Sequence, residues 1–458
     1  MIRRFAMVVT GMLVLAGTLI LASQPSVSVE VGAVKEVSLT VYNQNLALVR
    51  ELRPFSFHEG LNSLTLSGVA AKIDATSVHF NVLSGPVVDL LEQNYDYDLV
   101  SRNKLLQKYI GKPIKLVDPK DGSRKEVTLL SVADGIVVDY EGRILLNPPG
   151  NIELPQLTEG LLLQPTLEWL VDSPKTFNAD GEVSYMTTGM SWNADYVALL
   201  ANDEKTAELE GWVSLNNSSG ATYKDAKLKL IAGDIHRAQP PRPRAEMLGK
   251  AMRAAGEGAF KEEAFFEYHM YTLGRRTTIK DNQTKQVSLL TASGIPVTKI
   301  YTFDPSWRSD KIEVRVEFKN SKENHAGMPL PAGRVRVFKR DSEGIPQLVG
   351  EDNIDHTPKD EMVRLLLGYA FDIKGEKKQT SYTDRHRGYQ ASYEVSLRNH
   401  KDEAATIVVP EHFPYANWNV LSASHEWNKV DAQTIEFHVK VPADGEVKLT
   451  YSVDVWWE

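Results

Sequence analysis

The sequence contains no cysteine, and this absence removes several classes of chemistry. Thiol nucleophiles, structural disulfides, iron–sulfur clusters and cysteine-ligated zinc all need a sulfur atom that the chain does not have. A lipid-modified lipoprotein start also needs a cysteine and is excluded. The folded chain must therefore be stabilised by packing, hydrogen bonds or bound ions.

The motifs of the common enzyme classes are missing as well. The chain has no His-Glu-x-x-His zinc motif, no Gly-x-Ser-x-Gly elbow, no P-loop and no Gly-x-Gly-x-x-Gly dinucleotide motif. Ser101 and Lys104 match the Ser-x-x-Lys pattern of serine acylases, but its companion motifs are absent, so we interpret them as the start of a helix. We predict no catalytic residues, no metal site and no cofactor.

An excess of positive charge is a third absence. Lysine and arginine number 52 against 60 aspartates and glutamates, which gives a net charge of −8. Proteins that bind nucleic acid carry a basic surface that matches the phosphate backbone. We therefore predict no nucleic-acid partner.

One long apolar run is present, and it lies at the start of the chain. The basic pair Arg3 and Arg4 precedes residues 5–22, which are almost entirely apolar and end in small residues. This is the form of a secretory signal, so we predict that residues 1–24 are a signal peptide or an N-terminal anchor. The alternative to cleavage is a single membrane anchor through residues 5–22, because a run of this length is near the shortest that spans a bilayer. In both cases we expect an exported protein, periplasmic or extracellular.

Alternating apolar and polar residues dominate the rest of the chain and indicate β-strands. Residues 435–441 and 447–457 place apolar side chains at every second position, and Asp444-Gly445 between them is typical of a tight turn, so we expect a hairpin. The same alternation occurs in residues 207–220, 311–320 and 333–341. The sequence therefore predicts a mainly β fold built from several antiparallel β-sandwich and barrel modules.

Changes of pattern divide the chain into predicted regions. Five short strands punctuated by Asp-Gly and Glu-Gly turns predict a small barrel, and a proline-rich stretch followed by apolar residues at helical spacing predicts a linker and a short helical insert. The predicted regions are a signal peptide or anchor at 1–24, an N-terminal β region at 30–103, an SH3-like barrel at 104–158, a central β-sandwich region at 159–380 with the linker and helical insert at 237–270, and a C-terminal immunoglobulin-like sandwich at 381–458.

The stretch at residues 183–200 has the residue types of a sugar-binding or acid–base site. Within five positions it carries Trp192, Asn193, Asp195 and Tyr196. However, every second residue up to position 200 is apolar, and no second acid or base lies nearby in sequence. We therefore predict two strands separated at Gly189 rather than a site. Asn193 and Asp195 are expected to accept backbone N–H bonds from the turn.

An aromatic-rich loop is the best candidate for ligand binding. Residues 410–427 combine large aromatic side chains with proline and asparagine. Aromatic faces stack on sugar rings and on partner proteins, so Tyr415, Trp418 and Trp427 are the predicted ligand-binding residues. We expect Trp418 in particular to be exposed and to bind envelope polysaccharide. The alternative is that these aromatics close one end of the C-terminal sandwich.

Several stretches of the chain share a pattern with a known family. They are SYMTTGMSWNADYVALL, VYNQNLALVRE, YIGKPIKL, PTLEWLV, GWVSLNNSSGATYKDAKLKLIAGD, LPAGRVRVFKRD and GEDNIDHTPKDE. As a set they resemble the bacterial family known as domain of unknown function 4139, to which the mucoidy-inhibitor-A-like group is related. The resemblance runs from about Val41 nearly to the C-terminus, without the long coiled-coil insert of that group. It implies an exported, β-rich protein and brings no catalytic residues with it.

The signal, the β modules and the missing motifs together favour a non-enzymatic, extracytoplasmic protein of the cell envelope. Its expected role is binding or scaffolding, with an envelope polysaccharide or a protein as partner. Two alternatives stay open. A hydrolase acting on envelope glycan or peptide would bring two carboxylates together in a cleft, about 5–10 Å apart. A structural subunit of a larger assembly would expose a large apolar patch.

Overall fold

The computed structural model describes residues 26–156, 161–233, 235, 260–266, 268–305, 310–415 and 417–457. The chain divides into two compact units. The first takes the chain up to Ala33 together with Arg53–Val69 and Asn81–Gly181, and the second takes Val34–Leu52, Ala70–Phe80 and Glu182–Glu458. The predicted signal or anchor at 1–24 lies outside the described residues.

Strands make up most of the described chain. The first are β1 (Val27–Glu30), β2 (Glu36–Tyr42), β3 (Leu46–Phe57), β4 (Gly60–Ser67), β5 (His79–Val82), β6 (Asp89–Asp96), β7 (Pro113–Val117), β8 (Arg124–Ser131), β9 (Val137–Tyr140), β10 (Arg143–Leu146) and β11 (Asn151–Glu153). Next come β12 (Thr166–Ser173), β13 (Phe177–Thr187), β14 (Met190–Leu200), β15 (Thr206–Asn217), β16 (Tyr223–Ala232), β17 (Phe260–Phe265), β18 (Tyr268–Leu273), β19 (Thr277–Ile279), β20 (Gln283–Pro296) and β21 (Thr298–Thr302). The last are β22 (Lys311–Lys319), β23 (Gly333–Arg340), β24 (Pro346–Ile354), β25 (Met362–Arg385), β26 (Gly388–Asn399), β27 (Ala405–His412), β28 (Asn417–Ala423), β29 (Trp427–Lys429), β30 (Thr434–Val441) and β31 (Gly445–Trp456). The described helices are α1 (Arg102–Lys108) and short 3-10 turns at Ala75–Ser77 and Lys322–Asn324.

Two sheets belong to the first unit. One has the order β1-β4-β12-β6, with β1 parallel to β4 and the other neighbours antiparallel. The other is antiparallel in the order β10-β9-β8-β7-β11, and the five strands predicted for this segment are all present. Leu106 and Tyr109 of α1 share the core of this sheet. Ser101 caps α1 by accepting the N–H of Lys104 at 3.3 Å, which confirms the helix start predicted there.

Three further sheets contain the strands of the second unit. Their orders are β17-β18-β16-β2-β3-β13-β5, with β19 also paired to β16, then β20-β15-β14-β23-β24, and finally β28-β31-β26-β25-β22-β21-β27-β30-β29. Most neighbours are antiparallel, but β2 and β16, β14 and β23, and β21 and β27 are parallel pairs. The predicted mainly β fold is confirmed, and the parallel pairs are an addition to the predicted antiparallel modules.

The stretch at 183–200 forms two strands that meet at Gly189, as predicted. Every second residue from Trp192 to Leu200 is buried. Gly189 has a φ of +84°, and a Cβ there would lie 2.7 Å from the carbonyl oxygen of Ser218, so only glycine fits. The two strands do not pair with each other, because β13 and β14 belong to different sheets.

The C-terminal strands are confirmed, but the predicted hairpin between them is wrong. β30 pairs with β27 and β29, whereas β31 pairs with β26 and β28. Their inward side chains, such as Phe437 and Tyr451, meet instead across a shared core, with ring centroids 5.0 Å apart. Both strands carry one fully apolar face, so face-to-face packing buries more apolar surface than edge pairing alone.

Two parts of the predicted division into regions differ from the observed strands. The limit at 380/381 falls inside β25, a single strand of 24 residues that pairs first with β22 and then with β26. The helical insert at 237–270 is wrong in its last part, where β17 and the start of β18 form an antiparallel pair. Aromatic residues there favour a strand over a helix. Residues 237–259 of that insert lie outside the described residues.

A short motif recurs at three strand ends of the second unit. Asn217, Asn320 and Asn399 each close a Val-x-Leu/Phe-x-Asn segment and are fully buried. The side-chain amide of Asn217 donates to the carbonyl oxygens of Ala221 and Lys280, and that of Asn320 donates to those of Met328 and Pro358. The amide of Asn399 donates to the carbonyl oxygens of Glu403 and Pro442 and, at 3.5 Å, to that of Val441. Their amide oxygens accept the backbone N–H groups of Ser219, Gly327 and Lys401. One side chain thus fixes its own turn and ties it to a second loop.

Helices contribute little to the part of the chain that the structure describes, and none of them is long and apolar enough to cross a bilayer.

We expect Asn217→Ala to lower the free energy of unfolding by about 3 kcal/mol, because two buried carbonyl oxygens lose their donors. Urea unfolding of the purified protein measures the change. Asn216→Ala is the matched control, since Asn216 is the exposed neighbour in the same strand. Equal effects of the two substitutions would contradict this role for the buried amide.

Candidate functional site

The predicted ligand-binding aromatics lie on the outermost strands of the nine-stranded sheet. Trp418 is in β28 and Trp427 is in β29, which are the two ends of the strand order, and Tyr415 lies just before β28. The structure brings Trp418 and Trp427 together edge to face, with ring centroids 6.1 Å apart. Tyr415 packs on Trp457, with centroids 4.8 Å apart.

Trp418 is half-buried rather than exposed, which corrects the expectation from sequence. Its ring stacks on Phe413 at 4.5 Å, and the ammonium of Lys429 lies 5.0 Å from the ring centroid. Its indole N–H donates to the carbonyl oxygen of Ala432 at 2.8 Å. Because protein groups already occupy its face and its polar atom, Trp418 supports the surface more than it contacts a ligand.

Three aromatic side chains of this region remain open to solvent. Trp427 is 37% exposed, Tyr415 is 41% exposed and Trp456 is 42% exposed. Exposed indole and phenol rings offer an apolar face beside a hydrogen-bonding group, which is the combination that sugar rings require. The alternating pattern of residues 447–457 places Trp457 on the apolar face and assigns no role to Trp456. A signal for Trp456 existed, because a tryptophan on the polar face of a strand is unusual.

A buried charge network lies in the same sheet. Glu411 of β27 is 8% exposed and accepts hydrogen bonds from Lys377 Nζ at 2.5 Å and from the Tyr451 hydroxyl at 2.6 Å. The ammonium of Lys377 also lies over the ring of Tyr393, 4.1 Å from its centroid. These partners offset the cost of removing the carboxylate from water. Sequence reasoning missed the network because its members come from four different strands.

A polar cavity of about 430 Å³ adjoins this network. Asp310 and Glu376 line it together with Lys377, Gln379 and Tyr393. Gly375 also lines it, and a Cβ at this position would lie 2.5 Å from the ring of Phe303.

Each of the two cavity carboxylates already has a cationic partner. Asp310 is 3.3 Å from Lys374, and Glu376 is 3.3 Å from Lys378. The hydrogen bond from Lys374 lowers the pKa of Asp310. Asp310 is therefore held in its charged form, which suits a hydrogen-bond acceptor better than a proton donor.

The two polar residues of the stretch at 183–200 bind side chains rather than the turn backbone. Asp195 accepts hydrogen bonds from Asn193 at 2.9 Å and from Ser214 at 2.7 Å, and it lies 3.5 Å from Arg334. The prediction that both accept backbone N–H bonds from the turn is wrong, because Asp195 lies mid-strand beside polar side chains of β15 and β23. These contacts explain Asp195 as part of a structural network.

No group of three or more histidine, aspartate or glutamate side chains is arranged to hold a metal ion in the described ranges. Two features of this region can support an argument about function. One is the set of exposed aromatic side chains Tyr415, Trp427 and Trp456, which we call the aromatic surface, and the other is the polar cavity.

We expect the stability of the protein to fall as pH rises from 10 towards 12, partly through Tyr393. Burial and the nearby charge of Glu411 raise the pKa of Tyr393 to about 12, whereas an unfolded tyrosine ionises near 10. Its contribution is fully present below pH 10 and is lost as pH passes the folded value. Urea unfolding between pH 9 and pH 12 should show a shallower decline for Tyr393→Phe than for the parent, and identical declines would count against this assignment.

Comparison with known proteins places the second unit in a family. A family model described as domain of unknown function (DUF4139) matches residues 182–458, which is more than half of the chain and includes Tyr415, Trp418 and Trp427. A search of curated proteins finds no match. The resemblance seen in the sequence stretches is thereby confirmed at the level of the family. The chain belongs to the family that is defined by the domain of unknown function DUF4139.

Proposed function

We propose that this protein is an exported, non-enzymatic protein of the cell envelope that binds envelope polysaccharide through exposed aromatic side chains near its C-terminus. The observation that carries the proposal is the exposure of three aromatic side chains near the C-terminus, which are Tyr415 before β28, Trp427 on β29 and Trp456 on β31. Tyrosine and tryptophan are enriched where proteins contact partners, because each combines a large apolar ring with a hydrogen-bonding group. Export is supported by the signal-like segment at residues 1–24.

The rigidity of the surface supports binding. Trp418 is fixed by Phe413, Lys429 and the carbonyl of Ala432, and Trp427 rests edge-on against it. A ring held in place loses little conformational entropy when a ligand stacks on it. The half-buried Trp418 is then the support, and Trp427 is the contact residue.

A hydrolase acting on envelope glycan or peptide is the second candidate, and the polar cavity is the observation that favours it. Asp310 and Glu376 line one cavity, as a pair of catalytic carboxylates would. However, a glycosidase needs one carboxyl group that keeps its proton near neutral pH, and the ion pair with Lys374 lowers the pKa of Asp310. Binding therefore fits the described groups better than hydrolysis.

We expect the purified protein to sediment with isolated cell wall in a saturable manner and with little dependence on salt, because stacking contacts are only weakly screened. Trp427→Ala should weaken this association about tenfold, which corresponds to the loss of one good stacking contact. The amount of protein in the pellet, measured over a range of wall concentrations, gives the affinity.

Trp212→Ala is the matched control, because Trp212 has the same exposed fraction of 37% but lies on β15. The proposal fails if isolated cell wall does not sediment the protein, or if Trp212→Ala weakens sedimentation as much as Trp427→Ala does. Release of soluble sugar or peptide from the wall during the same incubation would favour the hydrolase.

A further inference from the structure

A second cavity of the second unit is lined by three lysines. This cavity, which we call the lysine cleft, has a volume of about 310 Å³. Its polar residues are Glu204, Lys299, Tyr301, Lys339 and Lys401, and the rest of its wall is aliphatic apart from the ring of Tyr369. The combination of ammonium groups with an apolar wall distinguishes it from the polar cavity around Tyr393.

One carboxylate holds two of the lysines side by side. Glu204 accepts hydrogen bonds from Lys299 on one oxygen and from Lys339 on the other, the latter at 2.5 Å. An ammonium group has three donors, so each lysine keeps donors beyond the one that Glu204 uses. The carboxylate thus fixes the position of two positive charges without using all of their hydrogen-bonding capacity.

The third lysine is fixed independently of Glu204. Lys401 donates to the hydroxyl of Tyr301 at 3.1 Å and to the exposed carboxylate of Glu403 at 2.6 Å. Burial disfavours its charged form, but these two hydrogen bonds outweigh burial and raise the pKa of Lys401. The buried amide of Asn399 also accepts the backbone N–H of Lys401 at 3.1 Å, which holds the turn that carries it.

The groups come from distant parts of the chain. Lys299 lies on β21, Lys339 on β23, Lys401 follows β26, and Glu204 lies in the turn between β14 and β15. Exposed ion pairs stabilise a protein little on their own. Here four elements converge to place three cations around one cavity.

The backbone at Glu204 adds a second observation. Its φ is +58°, a left-handed conformation that glycine and asparagine adopt more readily than glutamate. Tight turns between antiparallel strands commonly need one residue in this conformation, and Glu204 takes it between β14 and β15. This turn brings the carboxylate of Glu204 within hydrogen-bonding distance of both Lys299 and Lys339.

The charges in the wall do not balance. The lining contains three ammonium groups and one carboxylate, and the exposed Glu403 offsets only part of the excess. Like charges held close together in a partly buried site repel one another, and an anion relieves that repulsion. The aliphatic wall and the tyrosine rings suit an apolar portion of the same molecule.

We propose that the lysine cleft is a binding site for a small organic anion, in which carboxylate or phosphate oxygens meet Lys299, Lys339 and Lys401 and a ring or short aliphatic portion packs on the apolar wall. The site is separate from the aromatic surface, so this proposal does not depend on polysaccharide binding.

Calorimetric titration of the full protein with benzoate and with phenyl phosphate tests the proposal, with neutral benzyl alcohol as the uncharged probe of similar size. We expect saturable binding of at least one anion and none of benzyl alcohol. The anion that binds with the higher affinity shows whether carboxylate or phosphate is the preferred group. Binding of all three probes with equal affinity would show an apolar pocket without anion recognition and would overturn the proposal, as would the absence of saturable binding by either anion.

Two substitutions separate recognition from structure by the direction of their effects. Lys401→Met should weaken anion binding about tenfold, because it removes one charge-assisted contact. Glu204→Gln should strengthen it, since the two lysines lose their competing carboxylate. If the lysines served the fold alone, Glu204→Gln would lower the thermal stability and leave anion affinity unchanged.

Lys448→Met is the matched control, because Lys448 forms an exposed ion pair with Glu394 and does not line the cleft. This substitution also removes one positive charge, and Lys448 lies on β31, which pairs with β26, the strand that precedes Lys401. A loss of affinity equal to that of Lys401→Met would indicate a general effect of net charge and would overturn the proposal. Should Glu204→Gln fail to fold, the comparison of Lys401→Met with Lys448→Met still decides the question.

Discussion

A buried side-chain amide at the end of a strand is the interaction on which much of the second unit depends. Without cysteine, no disulfide fixes the long connections between sheets. Asn217, Asn320 and Asn399 take that role, because each amide satisfies carbonyl oxygens from two loops and one N–H group at once. The cost of leaving such groups unpaired inside the protein makes the arrangement stiff. The position of Lys401 in the cleft follows directly from the turn that Asn399 holds.

Local pattern predicted the strands well because alternation along a strand is a property of adjacent residues. The buried face from Trp192 to Leu200 and the capping of α1 by Ser101 both follow from nearest neighbours in sequence. Strand partners do not, because pairing depends on which distant edge is free. The alternation correctly predicts β30 and β31 as strands, but the predicted pairing between them is wrong. A turn at Asp444-Gly445 is compatible both with a hairpin and with a connection between two faces of one core.

The candidate site shows the same division between local and distant information. That Tyr415, Trp418 and Trp427 belong to one aromatic region was visible in sequence, because they lie within thirteen consecutive positions, although the structure forms strands β28 and β29 there instead of the predicted loop. The exposure of the Trp418 ring depends on Phe413 and Lys429, which pack on it only in the folded sheet. The Glu411 network and the lysine cleft were beyond sequence reasoning, because their charges are more than thirty positions apart and look like ordinary solvated residues. The recurring Val-x-Leu/Phe-x-Asn segment was a visible signal that a search for fixed-period repeats does not detect.

The length of β25 has a consequence for how the two cavities of the second unit behave. Gly368 and Tyr369 near its middle line the lysine cleft, and Gly375 to Lys377 further along line the polar cavity. Eight positions separate Gly368 from Glu376 in this strand, and between Tyr369 and Lys374 its register against β22 is irregular. Because one strand supplies wall residues to both cavities, a change in the register of β25 against its neighbours would alter the two linings together.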